Sequence, residues 1–224
     1  MDVVKVIEIK KSVFEDNAKD ANNLRQELKK KGTYLLNLMS SPGSGKTTTL
    51  SKVLPLLKDE FKIGVMEADI DSDVDAITIS NLGIEAIQLH TGGMCHLDAE
   101  MTRQGIVNLD GKNLDLIILE NVGNLVCPAE FDTGSCKNMM ILSVPEGHDK
   151  PLKYPLMFEV CDLVLINKMD VAPYFNFDVE LCKQYIHKRN PNAEVICISA
   201  KTGEGISQFA EWLRKEVLNW KKEG

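Results

Sequence analysis

Short apolar runs alternate along the chain with longer segments in which apolar residues recur every three or four positions. The runs predict strands buried on both faces, and the periodic segments predict amphipathic helices. The predicted strands are residues 34–39, 62–67, 84–89, 114–120, 138–144, 162–167 and 194–199. The predicted helices are residues 12–31, a stretch that ends at residue 57, and residues 97–109, 152–160, 179–188 and 205–220.

This order of elements predicts an α/β fold. Short apolar strands that alternate with helices are typical of a mostly parallel central sheet flanked by helices on both faces. The chain contains no internal repeat and no linker-like segment. We therefore expect one domain over residues 1–224, with residues 1–32 as a strand and helix extension packed on it.

Composition narrows the classes of partner. The net charge is −7 and no basic stretch stands out, which argues against nucleic acid as a partner. No run of about 18 apolar residues suggests a membrane span, and residues 1–11 lack the apolar core of a signal peptide. The six cysteines show no disulfide-like spacing, so we expect a protein of the reducing cytoplasm.

A glycine-rich loop joins the strand at 34–39 to the next helix. Residues 40–48 read Ser-Ser-Pro-Gly-Ser-Gly-Lys-Thr-Thr, which in this context predicts a phosphate-binding P-loop. Its lysine is placed to reach the β- and γ-phosphates, and the threonine after it to bind Mg²⁺. Ser40 replaces the usual first glycine; the alternative is a serine-rich turn that caps a helix. The predicted nucleotide-binding residues here are Gly43, Ser44, Gly45, Lys46, Thr47 and Thr48.

Carboxylates follow two of the strands. Glu120 ends an apolar strand in the manner of a Walker B acid and is expected to hold Mg²⁺ or a metal-bound water. The N–H of Gly123, three residues later, is placed to contact the γ-phosphate; the alternative is a simple strand-end turn. Residues 67–75 supply several more acids, some of which we expect in a solvated loop.

Two short segments predict a guanine-binding site. Residues 167–170 read Asn-Lys-Met-Asp directly after an apolar strand, and residues 199–201 read Ser-Ala-Lys after the next one. An Asp carboxylate accepts hydrogen bonds from guanine N1–H and its exocyclic amine, a pair of donors that adenine lacks. We expect the stem of the lysine to cover the base and the N–H of the alanine to meet the guanine oxygen. The predicted base-binding residues are Asn167, Lys168, Asp170, Ser199, Ala200 and Lys201, and the nucleotide is GTP or GDP.

A cysteine and a histidine stand side by side after the strand at 84–89. Cys95 and His96, with Cys127 returned by the fold, form a candidate site for Zn²⁺ or Ni²⁺. Three side chains leave the shell incomplete, so a partner chain, Glu100 or water must finish it. The alternative is that each cysteine is a small buried hydrophobe. That reading is our expectation for the remaining four cysteines, at 136, 161, 182 and 197.

These motifs together resemble a known family. From about residue 18 to the last helix, the chain resembles the HypB family of hydrogenase maturation GTPases, in the SIMIBI class of P-loop GTPases. The resemblance rests on residues 38–48, 95–99, 120–129 and 146–155. It also accounts for Ser40, because the family has serine in place of the first glycine.

The resemblance implies properties that spacing alone does not. Members bind GTP and Mg²⁺, hydrolyse GTP slowly and form a homodimer when GTP is bound. It implies that Cys95, His96 and Cys127 carry nickel or zinc at the dimer interface, and that Asp69 and Asp75 are Mg²⁺-associated switch acids. Lys153 falls in a segment near the nucleotide or the dimer partner. The implied partners are a HypA-type nickel carrier and the large subunit of [NiFe]-hydrogenase.

The chain departs from the family pattern in two places that bear on the site. Glu100 stands where many relatives have His, and a carboxylate suits nickel less well than imidazole. Ile77 and Thr78 replace an Asp-Arg pair near the switch. Three alternatives remain: a urease-type nickel accessory GTPase, a metal carrier with vestigial GTP hydrolysis, and a switch GTPase whose cysteines belong only to the core.

Overall fold

Strands and helices alternate along the chain as the sequence pattern predicts. The computed structural model describes residues 5–8, 17–69, 74–109 and 113–222, and all bounds below refer to that part. Its strands are β1 (Lys5–Glu8), β2 (Tyr34–Ser40), β3 (Ile63–Asp69), β4 (Glu85–His90), β5 (Leu116–Glu120), β6 (Lys137–Ser143), β7 (Leu163–Asn167) and β8 (Glu194–Cys197). Its α-helices are α1 (Asn17–Lys31), α2 (Lys46–Val53), α3 (Val74–Ser80), α4 (Ala99–Asn108), α5 (Cys127–Glu130), α6 (Lys150–Lys153), α7 (Pro155–Glu159), α8 (Val179–Arg189) and α9 (Ile206–Lys222).

The strands form one sheet in the order β1-β4-β3-β5-β2-β6-β7-β8. Every pairing in it is parallel. Because parallel strands all end at the same edge, the loops after β2, β3, β4, β5, β6 and β7 meet there. The predicted α/β fold of the P-loop NTPase type, with a mostly parallel sheet, is confirmed.

Helices cover both faces of the sheet. Leu36 and Leu38 of β2 face a core shared with α2, α3 and α9. Leu35, on the opposite face, packs with α1 and α4, and Met39 packs with α7 and α8. Among the described residues, no helix combines the length and apolar character needed to cross a bilayer.

Some predicted elements differ from the observed ones. The helix predicted over residues 152–160 is wrong as a single element, because the chain divides into α6 and α7 at Pro155, whose nitrogen carries no proton to continue a helix. Helix α3 and the one-turn helix α5 were not predicted. Residues 12–16 of the first predicted helix, and Asp71 and Asp73 of the acidic run, lie outside the described residues.

A chain of three side-chain amides, two of them fully buried, links β5, β2 and β6 next to the P-loop. The Nδ2 of Asn121, just after β5, donates to Asn37 Oδ1 at 3.1 Å. Asn37 in β2 in turn donates from Nδ2 to Asn138 Oδ1 at 2.9 Å. Asn121 Oδ1 accepts from Val122 N at 2.9 Å, which fixes the first turn of the segment after Glu120. The start of that segment is thus anchored to the strand that leads into the P-loop.

The loop after β8 contains two glycines that provide a matched test of backbone geometry. Both Gly203 and Gly205 have positive φ, 90° and 73°. A Cβ on Gly205 would collide with the carbonyl oxygen of Cys197, whereas no described atom lies within 4 Å of one on Gly203. We expect Gly203→Ala to lower the free energy of unfolding by about 1 kcal/mol and Gly205→Ala by about 3 kcal/mol. Urea unfolding measures both, and equal losses would contradict this account.

Candidate functional site

The phosphate loop lies between β2 and α2 and bends at two left-handed glycines. Gly43 and Gly45 have φ of 72° and 99°. A Cβ on Gly45 would lie 2.6 Å from Asn167 Nδ2, so only glycine fits beside the base-binding segment. Ser40 Oγ donates to the carbonyl of Ser41 at 2.8 Å, which gives this serine a role in closing the turn.

Asn167 connects the phosphate loop to both base-binding segments. Its Nδ2 donates to Ser44 O at 2.9 Å. Its Oδ1 accepts from the N–H of Lys168 at 2.7 Å and of Ala200 at 3.0 Å. Lys168 reaches back to the loop, since its Nζ donates to Gly43 O at 2.7 Å. The N–H of Ala200, expected to meet the guanine oxygen, is therefore used within the protein to hold the two segments together.

A cavity of about 270 Å³ opens between these segments. Asp170 lies on its wall, where its Oδ1 accepts a hydrogen bond from Ser199 Oγ at 2.7 Å. The other oxygen of this carboxylate remains to meet donors on a planar ligand. The lining residues are Gly45, Thr48, Asn167, Lys168, Asp170, Val171, Ala200 and Lys201.

Glu120 brings a buried carboxylate to the start of α2. Its Oε1 accepts from Thr47 Oγ1 at 3.2 Å and lies 3.7 Å from Lys46 Nζ. The backbone of Gly123 also lies against the loop: a Cβ on Gly123 would lie 3.1 Å from both Cγ and N of Pro42. The predicted Walker B acid and the predicted P-loop are thus in direct contact.

Glu67 is a further acid at this position, which the sequence analysis did not single out. It pairs in register with Glu120 across β3 and β5, is 2% exposed and contacts the Glu120 carboxyl group. Burial, followed by the charge of Glu120, raises the pKa of Glu67 well above its ordinary value. Burial also raises the pKa of Glu120, although Lys46 opposes this. We infer that Glu67 holds a proton that it shares with Glu120.

Of the two acids chosen for Mg²⁺ by resemblance, Asp75 interacts with this pair. The charge of Asp75, in the first turn of α3, acts on both Glu67 and Glu120. Asp69 lies exposed at the end of β3. Among the described residues, one oxygen each of Glu67 and Glu120 is buried without a hydrogen-bond partner. Oxygen donors of this kind fit Mg²⁺.

The thiol and imidazole groups also come together. Cys95 Sγ lies 3.9 Å from His96 Nδ1. A hydrogen bond to Cys95, followed by burial, raises the pKa of the Cys127 thiol. The His96 ring is 8% exposed and stacks on Phe131 with 3.5 Å between ring centroids. Two loops, one after β4 and one at the start of α5, therefore supply one cluster.

This cluster is open. Within the described residues, no three His, Cys, Asp or Glu side chains are arranged to hold a metal ion as they stand. Bond lengths of about 2.3 Å to sulfur and 2.0 Å to nitrogen place tetrahedral ligands about 3.5 Å apart, so Cys95 and His96 need to close slightly. Glu100 points along α4, where it accepts from Gln104 Nε2 at 3.2 Å.

The remaining predicted residues fall elsewhere. Lys153 on α6 pairs with Asp149 at 2.6 Å and its side chain is 60% exposed. Cys161 and Cys182 are buried in the core, as expected, while Cys136 and Cys197 are partly exposed.

Comparison with known proteins places this chain in a family. Residues 34–197 match the model of the CobW/HypB/UreG nucleotide-binding domain. The hydrogenase maturation factor HypB of Escherichia coli (strain K12) is 44% identical over 212 residues, which are 95% of this chain and 73% of that protein. A crystal structure of HypB from Helicobacter pylori in complex with nickel has a TM-score of 0.86 and 40% identity, covering 92% of this chain and 96% of that one. The crystal structure of the hydrogenase maturation factor HypB from Archaeoglobus fulgidus has a TM-score of 0.84 and 37% identity. It covers 90% of this chain and 98% of that one.

The buried pair of acids predicts how stability depends on pH in protein freed of metal and nucleotide. Because the pKa of Glu67 is raised on folding, the folded chain keeps a proton that the unfolded chain loses above the ordinary pKa of 4.5. Its contribution is complete below that pH and is lost as pH rises toward the raised pKa, with a slope of at most about 1.4 kcal/mol per pH unit. We expect Glu67→Gln to flatten this fall in urea unfolding between about pH 5 and pH 8. The exposed Glu159→Gln is the control, and an unchanged slope in Glu67→Gln would contradict the assignment.

Proposed function

The chain belongs to the HypB family of hydrogenase maturation factors, in the SIMIBI class of P-loop GTPases, and on that premise we propose that it is a nickel metallochaperone driven by GTP. It binds nickel or zinc, hydrolyses GTP slowly and delivers nickel during [NiFe]-hydrogenase maturation. The observation that carries the proposal is the contact of Cys127 with Cys95 beside His96. Cys127 lies only seven residues beyond Glu120, which contacts the phosphate loop.

GTP hydrolysis uses the groups at the start of α2. The N–H groups of residues 43–48 and the positive end of the helix bind the phosphates. Lys46 neutralises charge on the β- and γ-phosphates, and the N–H of Gly123 is aimed at the γ-phosphate. Thr47, Glu120, Asp75 and Asp69 would hold Mg²⁺, and the bound ion would supply further charge neutralisation at the transferred phosphate. Glu67 orients Glu120 through their shared hydrogen bond.

Guanine is selected in the cavity beside Gly45. The Asp170 carboxylate, already oriented by Ser199, accepts from N1–H and the exocyclic amine. Adenine offers no such pair of donors, so a carboxylate that loses water to the bound base would gain no hydrogen bond in return, which costs a few kcal/mol. The stem of Lys168 covers the base while its ammonium stays on Gly43 O.

Nickel binds to Cys95, His96 and Cys127. Sulfur and imidazole ligands suit nickel and zinc, and the thiols lose their protons as the ion binds. One chain supplies three ligands in an open cluster, so a second copy facing the same edge of the sheet can complete the shell. This supports a homodimer in which both protomers hold the ion.

The two sites are coupled through the segment from Glu120 to Cys127. Asn121 anchors its first residue, and Gly123 packs on Pro42, so the γ-phosphate orders the segment that leads to Cys127. GTP thereby closes the dimer around nickel, and hydrolysis loosens it for transfer. Thermodynamic linkage requires that nickel in turn raise the affinity for GTP by the same factor.

The proposed role in [NiFe]-hydrogenase maturation implies two further protein partners. A HypA-type carrier exchanges nickel with this protein in the cytoplasm, and the hydrogenase large subunit receives it. Lys153, exposed near the same edge, faces the nucleotide or the second protomer.

Asp170→Asn tests the guanine-binding assignment. The amide replaces one acceptor by a donor, so we expect GTP affinity to fall by about 100-fold or more. Xanthosine triphosphate, which presents a carbonyl where guanine has its amine, should bind the variant better than GTP does. Fluorescence titration with both nucleotides measures this, with Asn176→Asp, outside the cavity lining, as the control. An unaltered preference for GTP would contradict the role of Asp170.

Cys127→Ala tests the metal site and its coupling to nucleotide. We expect nickel affinity to fall at least about tenfold and the nickel-bound dimer to be lost in the presence of a non-hydrolysable GTP analogue. Size-exclusion chromatography with metal analysis, run with GDP and with the analogue, measures both. Cys197→Ala is the matched control, because that thiol is also partly exposed but lies at the end of β8. Equal nickel affinity of wild type in the two nucleotide states would overturn the coupling.

A further inference from the structure

The carboxylate of Glu146 joins the phosphate loop to the end of β6. Its Oε2 accepts from the backbone N–H of Ser143 at 2.7 Å and from Ser143 Oγ at 2.8 Å. Its Oε1 accepts a hydrogen bond from Ser41 Oγ. The side chain thus caps the 3₁₀ turn Val144–Glu146 with one oxygen and reaches the P-loop with the other.

Both ends of this link lie in functional segments. Ser143 pairs in register with Asn167 on the neighbouring strand, and Asn167 holds Ser44. Ser41 precedes Pro42, on which Gly123 packs. The Ser41 side chain is therefore held by Glu146, and Ser41 lies next to the contact between Pro42 and Gly123.

A carboxylate is an unexpected group so close to a phosphate-binding loop, because its charge repels phosphate. Here the charge is taken up by three donors, two hydroxyls and one N–H. A carboxylate only accepts hydrogen bonds, so it forces both serine hydroxyls to point at it, and bonds to an ionised acceptor are about twice as strong as neutral ones. The Glu146 carboxylate therefore orients the phosphate loop, although it does not help to attract phosphate.

We infer that Glu146 is a positioning residue for GTP hydrolysis, a role that rests on the proposed GTPase function. Through Ser41 it fixes the first turn of the P-loop, so that the N–H groups of residues 43–46 and Lys46 Nζ keep the alignment that phosphoryl transfer needs. Stabilisation of a transition state depends on that alignment more steeply than binding of a nucleotide does. Loss of the link therefore lowers kcat more than it weakens nucleotide binding.

Ser41→Ala is the sharpest variant, because it removes the bond to the P-loop and leaves the cap on Ser143 intact. We expect Ser41→Ala and Glu146→Ala each to lower kcat by about tenfold, with the affinity for GDP changed by less than about threefold. The double variant should be no slower than the slower single one, since both remove the same bond. Ser41→Thr keeps the hydroxyl and should restore kcat. The exposed Ser207→Ala on α9 is the control for serine loss.

Steady-state hydrolysis of GTP, calorimetric binding of GDP and thermal unfolding measure these changes. Additive losses in the double variant, failure of Ser41→Thr to restore kcat, or a fall in GDP affinity equal to the fall in kcat would overturn the role of Glu146. So would a normal kcat in Ser41→Ala when wild type hydrolyses GTP and Lys46→Ala does not. A wild-type rate no higher than that of Lys46→Ala would instead overturn the proposed GTPase function together with this role.

Discussion

Glu120 places a buried carboxylate against the ammonium of Lys46 and the hydroxyl of Thr47, where β5 ends beside β2. A charge at this depth is tolerated only with such partners, so the end of β5 and the start of α2 hold each other in place. The segment that follows Glu120 therefore starts from a fixed position beside the phosphate loop. Gly123 rests on Pro42, and the chain then turns into α5, which carries Cys127 toward Cys95. The ion contact thus acts with the pairing of β2 and β5 and the Asn121–Asn37 hydrogen bond to set the spacing between the phosphate site and the thiol site.

The fold and the nucleotide site follow closely from the sequence because their signals are local. Apolar runs and glycine-rich turns predicted the strands and the P-loop within a few residues. The single helix predicted over 152–160 is wrong at Pro155. The proline is itself a local signal for a break, but the apolar periodicity on both sides of it was given more weight. Helix α3 was not predicted because it is only about two turns long, is rich in β-branched residues and lies next to an acidic run.

Long-range contacts could not be read from one sequence. Glu67 resembles the other acids of residues 67–75, and only the register of β3 against β5 shows that it meets Glu120. The approach of Cys127 to Cys95 likewise depends on β3 lying between β4 and β5 in the sheet. The role given to Glu146 depends on the side-by-side position of β2 and β6, which are separated by almost 100 residues of chain.

The linked amides of Asn121, Asn37 and Asn138, the first two of which are buried, also act before any ligand is bound. A slip of one residue between β2 and either neighbour would turn an amide to the opposite face of the sheet, among leucine and isoleucine side chains. Each stranded amide would then cost about 1–3 kcal/mol, a penalty that purely apolar strands would not impose. The three asparagines therefore select the register of the central strands during folding. A sheet with a shifted register is unstable, so its strands separate and pair again.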